Sequence, residues 1–401
     1  MNRIAWFIEV LCLLMFSTVS RSSGQINNAP KQPYRILLDD VLSEKPLNYS
    51  QLFSNCQFIP LETNENCLIN NLADIKIENN VIYILDRQMF SGRVLMFSIT
   101  GQYLSKVDKT GIGPDEYTRF TNYDIDQHKK QIAIFDRSKK KLNFYDFQGN
   151  FKNELLFNNS YSAFTLNKNQ IFLYKDPLNA NDYILHIQDF SSNSLVKLLK
   201  SSRTSILDGS YVKVGSVNFY KYGDDVRFLP SFSDTLYAIK NQIIEPFLII
   251  ESKKYKLSDN DFLMINNDLR NRAGASSPPL ISIIEKFTNF DNYAENDELI
   301  FFKFKLGMRF YFTFYDKISG KTICSSWLKD DLTSVNPIVI TIIGDKLIAY
   351  ISPSRFSHLK KEMTLGKIKV SSENKEILSE ISEFDNPVIV ILTINKNTMF
   401  Q

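Results

Sequence analysis

The chain alternates apolar and polar residues in short bursts along most of its length. Runs such as Val81–Leu85 (VIYIL), Gln131–Phe135 (QIAIF) and Lys346–Tyr350 (KLIAY) each follow a polar turn. Short β-rich runs separated by turn residues are typical of all-β domains, because successive strand side chains point to opposite faces of a sheet. Helix-period segments are scarce, so the pattern predicts an all-β fold.

Two stretches are recognisably copies of one unit. Asp74–Val107 and Tyr123–Leu155 each read as a strand, a turn, a strand ending in Asp-Arg, a loop, a strand, a glycine turn and a strand. Four strands repeated every ~40–50 residues are the signature of a β-propeller blade. A single blade cannot cover its own apolar faces, so several blades must surround a central axis.

Later units are more degenerate but keep the same order. We place a third blade at residues 161–198, a fourth at 215–251, a fifth from Glu298, and a sixth that closes near the C-terminus. The early segment Phe58–Glu62 (FIPLE) is expected to supply the strand that locks the ring. The predicted fold is a single six-bladed β-propeller of four-stranded antiparallel blades over residues 56–401, preceded by a lead segment at 25–55.

Residues 252–297 break this rhythm. Ser258 with Asp261 three positions later resembles a capping box, and apolar residues follow at helix-like spacing. These signals predict a small helical insert, with a surface loop as the alternative for its central part.

The first residues have the pattern of an export signal. Arg3 precedes the apolar run Val10–Phe16, and small residues lead to Gly24. The apolar run is shorter than the ~20 residues that a membrane-spanning helix needs. We therefore predict a signal peptide at 1–24, no transmembrane span in the mature chain, and a protein exported to the periplasm or cell envelope, or secreted.

Charge and cysteine content narrow the classes of function. The formal net charge of +3 gives no global basic field of the kind that nucleic-acid binders carry, so no nucleic-acid partner is predicted. The mature chain would keep Cys56, Cys67 and Cys324, an odd number that is not a disulfide framework. Cys56 and Cys67 could form a disulfide or could both be buried thiols. Without a Cys/His cluster, neither a metal nor a cofactor is predicted.

Several short motifs resemble those of one family. They are FIPLET at Phe58, IYILD around Tyr83, GIGPDEY at Gly111, DTLYAI at Asp234 and DNPVIV at Asp385. Their order is similar to that in the NHL-like six-bladed β-propellers that Bacteroidota-type bacteria export. The resemblance implies an exported or envelope-associated six-bladed propeller, and it implies no catalytic residues.

The stretch Thr110–Tyr117 (TGIGPDEY) has the glycines of a phosphate-binding loop but not its other features. It lacks the lysine of a phosphate loop and the third glycine of a dinucleotide fingerprint, and the strand YDID follows it rather than a helix. We predict a structural joint between the first two blades. Its structural residues would be Gly111 and Gly113, whose backbone angles a Cβ would hinder, together with Pro114 and Glu116.

Cationic residues are predicted to share one rim of the ring. In a four-stranded blade, the loop between the second and third strands opens on the same face as the loop that enters the next blade. This places Arg87, Arg137, Lys175 and Arg355 near Tyr117 on one face. Such a rim could bind carboxylate, sulfate or sugar groups, since guanidinium offers planar donors. The alternative is local salt bridging of each arginine to a rim aspartate.

The function favoured by these observations is non-catalytic. We expect an exported propeller that binds a glycan, a peptide or a partner protein through one face. One alternative is a metal-assisted hydrolase or lactonase that uses axial carboxylates, and another is a scaffold in an envelope complex. The strand-end carboxylates available to an enzyme are Asp86, Asp136, Asp176 and Asp234, and the alternative role that we favour for them is loop capping.

Overall fold

The computed structural model describes residues 32–88, 91–177, 181–192, 194–201, 219–231, 233–261, 285–286 and 290–400. The predicted signal peptide and the centre of the predicted helical insert lie outside these residues. Within them, six antiparallel sheets follow one another along the chain, and each inner strand contacts the inner strand of the next sheet. The protein is a six-bladed β-propeller, as the sequence predicts.

The strands comprise an N-terminal group and six blades. The N-terminal group is β1 (Tyr34–Leu37), β2 (Leu42–Ser43), β3 (Leu47–Asn48) and β4 (Phe53–Pro60). The first three blades are formed by β5 (Leu72–Glu78), β6 (Val81–Arg87), β7 (Gly92–Ser98), β8 (Tyr103–Val107), β9 (Phe120–Asp126), β10 (Gln131–Asp136), β11 (Lys141–Asp146), β12 (Phe151–Leu156), β13 (Ala163–Asn167), β14 (Gln170–Tyr174), β15 (Leu185–Asp189) and β16 (Leu195–Lys197).

The remaining blades use the later strands, with helices in their connections. The strands are β17 (Phe219–Tyr222), β18 (Asp225–Phe228), β19 (Thr235–Lys240), β20 (Ile243–Glu251), β21 (Phe290–Glu295), β22 (Leu299–Leu306), β23 (Arg309–Asp316), β24 (Thr322–Ser325), β25 (Leu328–Lys329), β26 (Ile338–Ile343), β27 (Lys346–Ile351) and β28 (Val388–Ile394). The described helices are α1 (Leu38–Val41), α2 (Tyr49–Leu52), α3 (Phe356–Thr364), which follows a 3-10 turn at Pro353–Arg355, α4 (Ser372–Glu380) and α5 (Lys396–Met399).

Asparagine and glycine set the hairpins of the first blades. Asn79 and Asn80 both have positive φ, the conformation of the two-residue turn that matches strand twist. Gly101 (φ +89°) lies in the turn between β7 and β8, and Gly149 (φ +82°) lies at the same place in the second blade. A Cβ there would lie 2.0 Å from the carbonyl oxygen of Pro60 or 2.3 Å from that of Lys106. Glycine therefore lets each turn pack on the outer strand of the preceding blade.

The ring closes by pairing the two ends of the chain. The sixth blade has the order β26-β27-β28-β4, and β4 pairs antiparallel with β28, with Phe58 opposite Val390. This confirms the prediction that FIPLE supplies the locking strand. The outer strand of the sixth blade is thus made before the first blade along the chain, so the ring cannot close without both termini.

The lead segment has a structural role that the sequence did not reveal. In the N-terminal strap (residues 34–52), β1 adds a fifth, parallel strand to the fourth blade and β2 adds one to the fifth blade. β3 then pairs with β25 before the chain enters β4. Ile36, Leu38 and Leu52 of the strap are buried. The strap therefore packs along the outer edges of the fourth and fifth blades and continues into β4 of the sixth.

Two details differ from the predictions. The fifth blade begins at Phe290 rather than at Glu298, because β21 lies in the segment assigned to the insert. Helices α3 and α4 fill the connection between β27 and β28, where no helix was predicted. Each helix has nine residues; α3 buries only Phe356 and Leu359, and α4 only Asn374 and Leu378. The apolar stripe of each helix is therefore too short to stand out in the sequence. The predicted capping box is present, with reciprocal bonds between Ser258 and Asp261.

The core consists of apolar layers between neighbouring blades. Between the first and second blades, for example, Tyr83, Val94, Tyr117, Ile132 and Tyr145 form one cluster. Among the helices that the structure describes, none combines the length and apolarity needed to cross a membrane.

Candidate functional site

The two ends of the ring carry different connections. The inner strands all begin at the same end of the ring. This end carries the links between blades and the loops between the second and third strands of each blade, and we call it the inter-blade face. The opposite end, the hairpin face, carries the remaining two turns of each blade. The predicted rim residues Arg87, Arg137 and Lys175 follow or end second strands, so the topology places all three on the inter-blade face.

Strand-end aspartates organise this face. Asp86 accepts hydrogen bonds from the backbone N–H groups of Asn70 and Asn71, and Arg93 lies 3.0 Å from it. Asp136 accepts from the backbone and hydroxyl of Thr118 at 2.7 and 2.8 Å. Both carboxylates are buried and tie the strand end to the loop that enters their own blade. Loop capping, the alternative role named above, is therefore what these two residues do.

The TGIGPDEY segment joins the first two blades. Glu116 Oε2 accepts a hydrogen bond from the Gly113 backbone at 2.7 Å, and a Cβ on Gly111 would lie 1.9 Å from the same oxygen. Neither glycine has a positive φ, so the expected reason for them was wrong. Glycine leaves room for the close approach of the Glu116 side chain and does not supply a positive φ. Lys141 then donates to the Pro114 carbonyl at 3.2 Å and fixes the loop to the second blade.

Tyr117 lies inside the joint instead of on its surface. The residue is fully buried, its hydroxyl donates to the Gly92 carbonyl at 2.7 Å, and its ring packs edge-on against Phe120 and Tyr145. Burial raises the pKa of the hydroxyl. Because no part of the ring reaches solvent, we leave Tyr117 out of the binding surface proposed below.

The cationic rim residues differ in how firmly they are held. Arg87 is half-buried, and its Nη2 donates to the Thr121 carbonyl at 2.5 Å, which connects the first blade to the second. The Arg137 guanidinium is held less tightly, since its nearest carboxylate, on Asp176, is 3.8 Å away. Arg355 donates to the Asn336 carbonyl. Arg137 is therefore the rim arginine most available to a ligand.

Lys175 lies beside a buried tyrosine–histidine pair in the third blade. The Tyr161 hydroxyl is 2.9 Å from His186 Nδ1, and the histidine is buried. Burial, together with the nearby Lys197 and Lys175, lowers the pKa of His186 to about 4. The imidazole is therefore neutral at neutral pH and contributes no charge to the rim.

The inter-blade face also carries the most exposed large apolar side chains in the described residues. Ile112 is 89% exposed, Met308 82% and Phe384 80%. They lie in the joint between the first two blades, in the turn between β22 and β23, and in the connection before β28. On the hairpin face, Ile318 and Ile243 reach 75% and 62%. These three residues lie in separate connections of the same face, and each is more exposed than any large apolar residue described on the hairpin face.

The inner strands bring together a charged cluster. Asp124 lies on β9, and its Oδ1 forms two ion pairs: with Lys76 Nζ of the first blade at 3.1 Å and with Lys221 Nζ of the fourth blade at 3.0 Å. Its Oδ2 accepts from the hydroxyl of Thr165 and the backbone of Leu166, both at 2.8 Å. Burial alone would raise the pKa of Asp124, but the two ammonium groups and these hydrogen bonds hold it well below its usual range.

A second buried ion cluster joins the fourth and fifth blades. Glu295 lies 2.6 Å from Arg227 Nε and 2.5 Å from Lys317 Nζ. Arg227 also stacks on Phe247, with 4.0 Å to the ring centroid. In both clusters the carboxylate is neutralised by two cations. Across the ranges that the structure describes, no group of three or more His, Cys, Asp or Glu side chains could hold a metal ion.

The three cysteines in the described part of the chain are free thiols. Cys67 and Cys324 are buried and Cys56 is half-buried. Burial raises the pKa of Cys56 to about 12 and that of Cys324 to about 11. Of the two alternatives for Cys56 and Cys67, the structure has the unpaired thiols.

Comparison with known proteins identifies a family. Residues 34–393 match the family described as domain of unknown function DUF4934. The chain belongs to this family. No curated protein matches the sequence.

Two solved structures share the fold of this DUF4934 chain. A candidate exported protein from Bacteroides fragilis is 21% identical, with a TM-score of 0.69 over 89% of this chain and 99% of that one. A member of the DUF4221 family from Bacteroides vulgatus is 13% identical, with a TM-score of 0.50 over 86% and 97% of the two chains. At these identities the similarity shows the fold alone.

Sequence reasoning missed the axial residues of this DUF4934 chain. Lys76, Asp124 and Lys221 lie in ordinary strand patterns, and Lys221 is 97 positions from Asp124. The only available signal was a charged residue at an inner-strand position, repeated in more than one blade. Spacing could not show that these charges meet, because the contact depends on how the blades are placed around the axis.

Proposed function

We propose that the protein is an exported, non-catalytic propeller that binds a partner protein or peptide through its inter-blade face. The observation that carries the proposal is the exposure of Ile112, Met308 and Phe384 on that one face. Ile112 offers no hydrogen bond to a sugar hydroxyl and Met308 only a weak acceptor, whereas Met and aromatic residues such as Phe384 are enriched at protein interfaces. A protein or peptide therefore fits this face better than a glycan does.

Charge at the rim supports the same kind of partner. Arg137 has only a distant carboxylate partner, and its guanidinium can form two parallel hydrogen bonds with a carboxylate. A partner that combines apolar side chains with an acidic residue would use both features. The sequence of residues 1–24 supports export, and so does the shared fold with the candidate exported protein of Bacteroides fragilis. We place the protein in the periplasm or cell envelope, where it would act as a binding or scaffold module.

The proposal can be tested by crosslinking from matched positions. A photoreactive amino acid is placed at Ile112 or Phe384 on the inter-blade face, and at Ile318 or Ile243 on the hairpin face as controls of similar exposure. In cells that make the protein naturally, we expect protein adducts of discrete mass from the first pair only. Adducts from both faces alike, or from the hairpin face alone, would contradict the proposal. Glycan-array binding without any protein adduct would favour a glycan instead.

A further inference from the structure

Two connections of the last two blades contact each other on the inter-blade face. One is the link from β24 to β26 (residues 326–337), and the other is α3 with the loop that follows it (residues 356–370). The backbone N–H of Lys369 in this loop donates to the carbonyl of Thr333 in the link at 2.9 Å. The two segments therefore form one surface, which we call the late patch.

Both segments of the late patch are anchored in the same apolar core. The link contributes Val335 to this core, and α3 contributes Phe356 and Leu359. These two residues of α3 lie about one helical turn apart and so define the side of the helix that faces the core. The opposite side of α3 carries exposed Lys361 and, at its C-terminal end, Leu365, which is 57% exposed. The late patch thus presents one fixed side of this helix to solvent.

The buried carboxylate of Asp330 fixes the conformation of the link. It accepts hydrogen bonds from the backbone N–H groups of Thr333 at 2.7 Å and Val335 at 2.9 Å, and a third from that of Asn336 at 2.8 Å. Ser334 and Asn336 have φ of +64° and +51°, angles that residues other than glycine keep only where the surrounding structure holds them. A link that is already fixed loses little conformational freedom when a partner binds.

The late patch has positive charge that is not neutralised within the described part of the chain. Three of its exposed lysines form no ion pair with a described carboxylate; they are Lys329, Lys361 and Lys369. Its own carboxylates are engaged inside the protein, since Asp330 holds the link and Asp331 accepts from the backbone and hydroxyl of Ser50 at 2.9 and 2.6 Å. Glu362 lies 3.2 Å from Lys367. The three lysines are therefore available to an external anion.

The next segment along the chain has the opposite charge. Residues 371–385, which include α4, contain one lysine and five carboxylates, whereas the late patch contains five lysines and three carboxylates. Like charges placed against each other across an interface repel and exclude wrong orientations. An acidic segment that approaches this face would therefore lie over the late patch and not over α4.

Exposed apolar side chains accompany the lysines. Trp327 is 54% exposed, and its carbonyl accepts a hydrogen bond from the backbone N–H of Leu47 in the strap at 2.8 Å, which fixes its backbone. Tryptophan is enriched among the residues that contribute most to binding at protein interfaces. A helix that lies on a membrane exposes its apolar side, whereas α3 has its apolar side in the core. A protein therefore fits the late patch better than a lipid surface does.

We propose that the late patch is the docking site for an acidic segment of a partner protein. Carboxylates of that segment pair with Lys329, Lys361 and Lys369, and its apolar side chains pack on Trp327 and Leu365. This inference rests on the proposed function, because it names the chemistry of the partner and the part of the inter-blade face that it contacts.

The test uses a photoreactive amino acid at Leu365 in the full chain, in cells that make the protein naturally. We expect a protein adduct, and mass spectrometry of the crosslinked partner peptide should find Asp or Glu in it. Lys361→Glu combined with Lys369→Glu should lower the yield of this adduct about fivefold, because two exposed ion pairs become repulsive contacts. Lys375→Glu, an exposed charge reversal on α4, is the matched control and should leave the yield unchanged.

The outcomes separate this inference from the proposed function. Adducts from Ile112 but none from Leu365 would overturn the inference alone, whereas the absence of adducts from the whole inter-blade face would overturn the proposed function as well. Equal losses for the double variant and for Lys375→Glu would also overturn the inference. So would binding of the purified chain to phosphatidylglycerol vesicles without any protein adduct, which would assign the late patch to a membrane surface.

Thermal unfolding checks that each variant folds. Should the double charge reversal not fold, Lys361→Gln combined with Lys369→Gln removes the same two charges without creating repulsion. The adduct yield should then fall about twofold, and an unchanged yield would overturn the inference.

Discussion

The first three blades and the last three are built in different ways. Each of the first three is made of four consecutive strands, with turns set by residues such as Asn79, Gly101 and Gly149. The last three depend on chain from elsewhere: β1 and β2 add parallel strands to the fourth and fifth blades, and β4 completes the sixth. The early blades are closed by local sequence, whereas the late blades are completed by the N-terminal strap and by β4.

This difference explains where the repeat is visible. A blade whose strands and turns are all local must carry its turn residues at fixed positions, so the first two blades resemble each other in sequence. A blade that is held by a distant strand can lose these local signals, since the long-range pairing supplies the missing edge contacts. In the last three blades the degenerate repeats therefore accompany a change in how stability is supplied, whereas the third blade is degenerate although its four strands are consecutive.

The largest effect should follow from removing the strap. A chain that begins at Phe53 lacks Ile36, Leu38, Leu47, Tyr49 and Leu52, all of which are buried. At about 1.5–3 kcal/mol for each side chain, the upper estimate is on the order of 10 kcal/mol, comparable with the whole stability of a domain. We expect hydrogen exchange to show loss of protection in the fourth and fifth blades first.

A chain that begins at Pro33 keeps the strap and is the matched control. It should unfold like the chain that begins at Gln25. Equal loss of protection in the first three and last three blades of the shorter chain would show that the two halves are not built differently.

A smaller loss is expected from Asp124→Asn. The change removes the carboxylate nearest to both lysines and leaves Lys221 with Glu78 at 3.8 Å, which costs about 3 kcal/mol. Glu295→Gln is the counterpart in the late half, where the cations belong to the fourth and fifth blades only. Urea unfolding should show a similar loss of unfolding free energy for both variants. Hydrogen exchange should rise across four blades for Asp124→Asn but in only two blades for Glu295→Gln. The same two-blade pattern for both would contradict the axial role of Asp124.

The Asp124 effect should depend on pH. Its pKa in the folded protein lies below the value of about 3.9 in an unfolded chain. The stabilisation is therefore complete above the unfolded pKa and is lost as the pH falls through it toward the folded pKa. The difference in unfolding free energy between the unmodified protein and Asp124→Asn should be full at neutral pH and should shrink below about pH 4. A difference that stays constant down to about pH 3 would contradict the ion-pair explanation.

The smallest loss of unfolding free energy is expected from replacing one turn glycine in each half of the ring by alanine. Gly149 and Gly344 both have positive φ, but only Gly149 approaches a neighbouring backbone, while nothing lies within 4 Å of a Cβ at Gly344. Gly344→Ala should cost about 1 kcal/mol from backbone strain, and Gly149→Ala about 1–2 kcal/mol more because it also pushes the second blade from the first. Equal losses in urea unfolding would show that the close approach to Lys106 carries no energy.

Much of the fold and part of the site were predictable from local patterns. The period-two runs located most strands, the repeat of Asp86 and Asp136 gave the blade, and the position of FIPLE gave the closing strand. The order of antiparallel strands places Arg87, Arg137 and Lys175 at one end of the ring, and their role in binding stays a prediction. The burial of Tyr117 and the true reason for Gly111 were not predictable, because both depend on what packs against the loop.

The sequence by itself determined the strand pattern, the number of blades, the turn residues of the early blades and the face on which each loop lies. These follow from local propensity and from the alternation of side chains along a strand. Only the tertiary structure decided that the lead segment pairs with the fourth and fifth blades, and that Asp124 meets lysines from two other blades. These contacts join residues far apart in the chain, and their geometry exists only once the ring has closed.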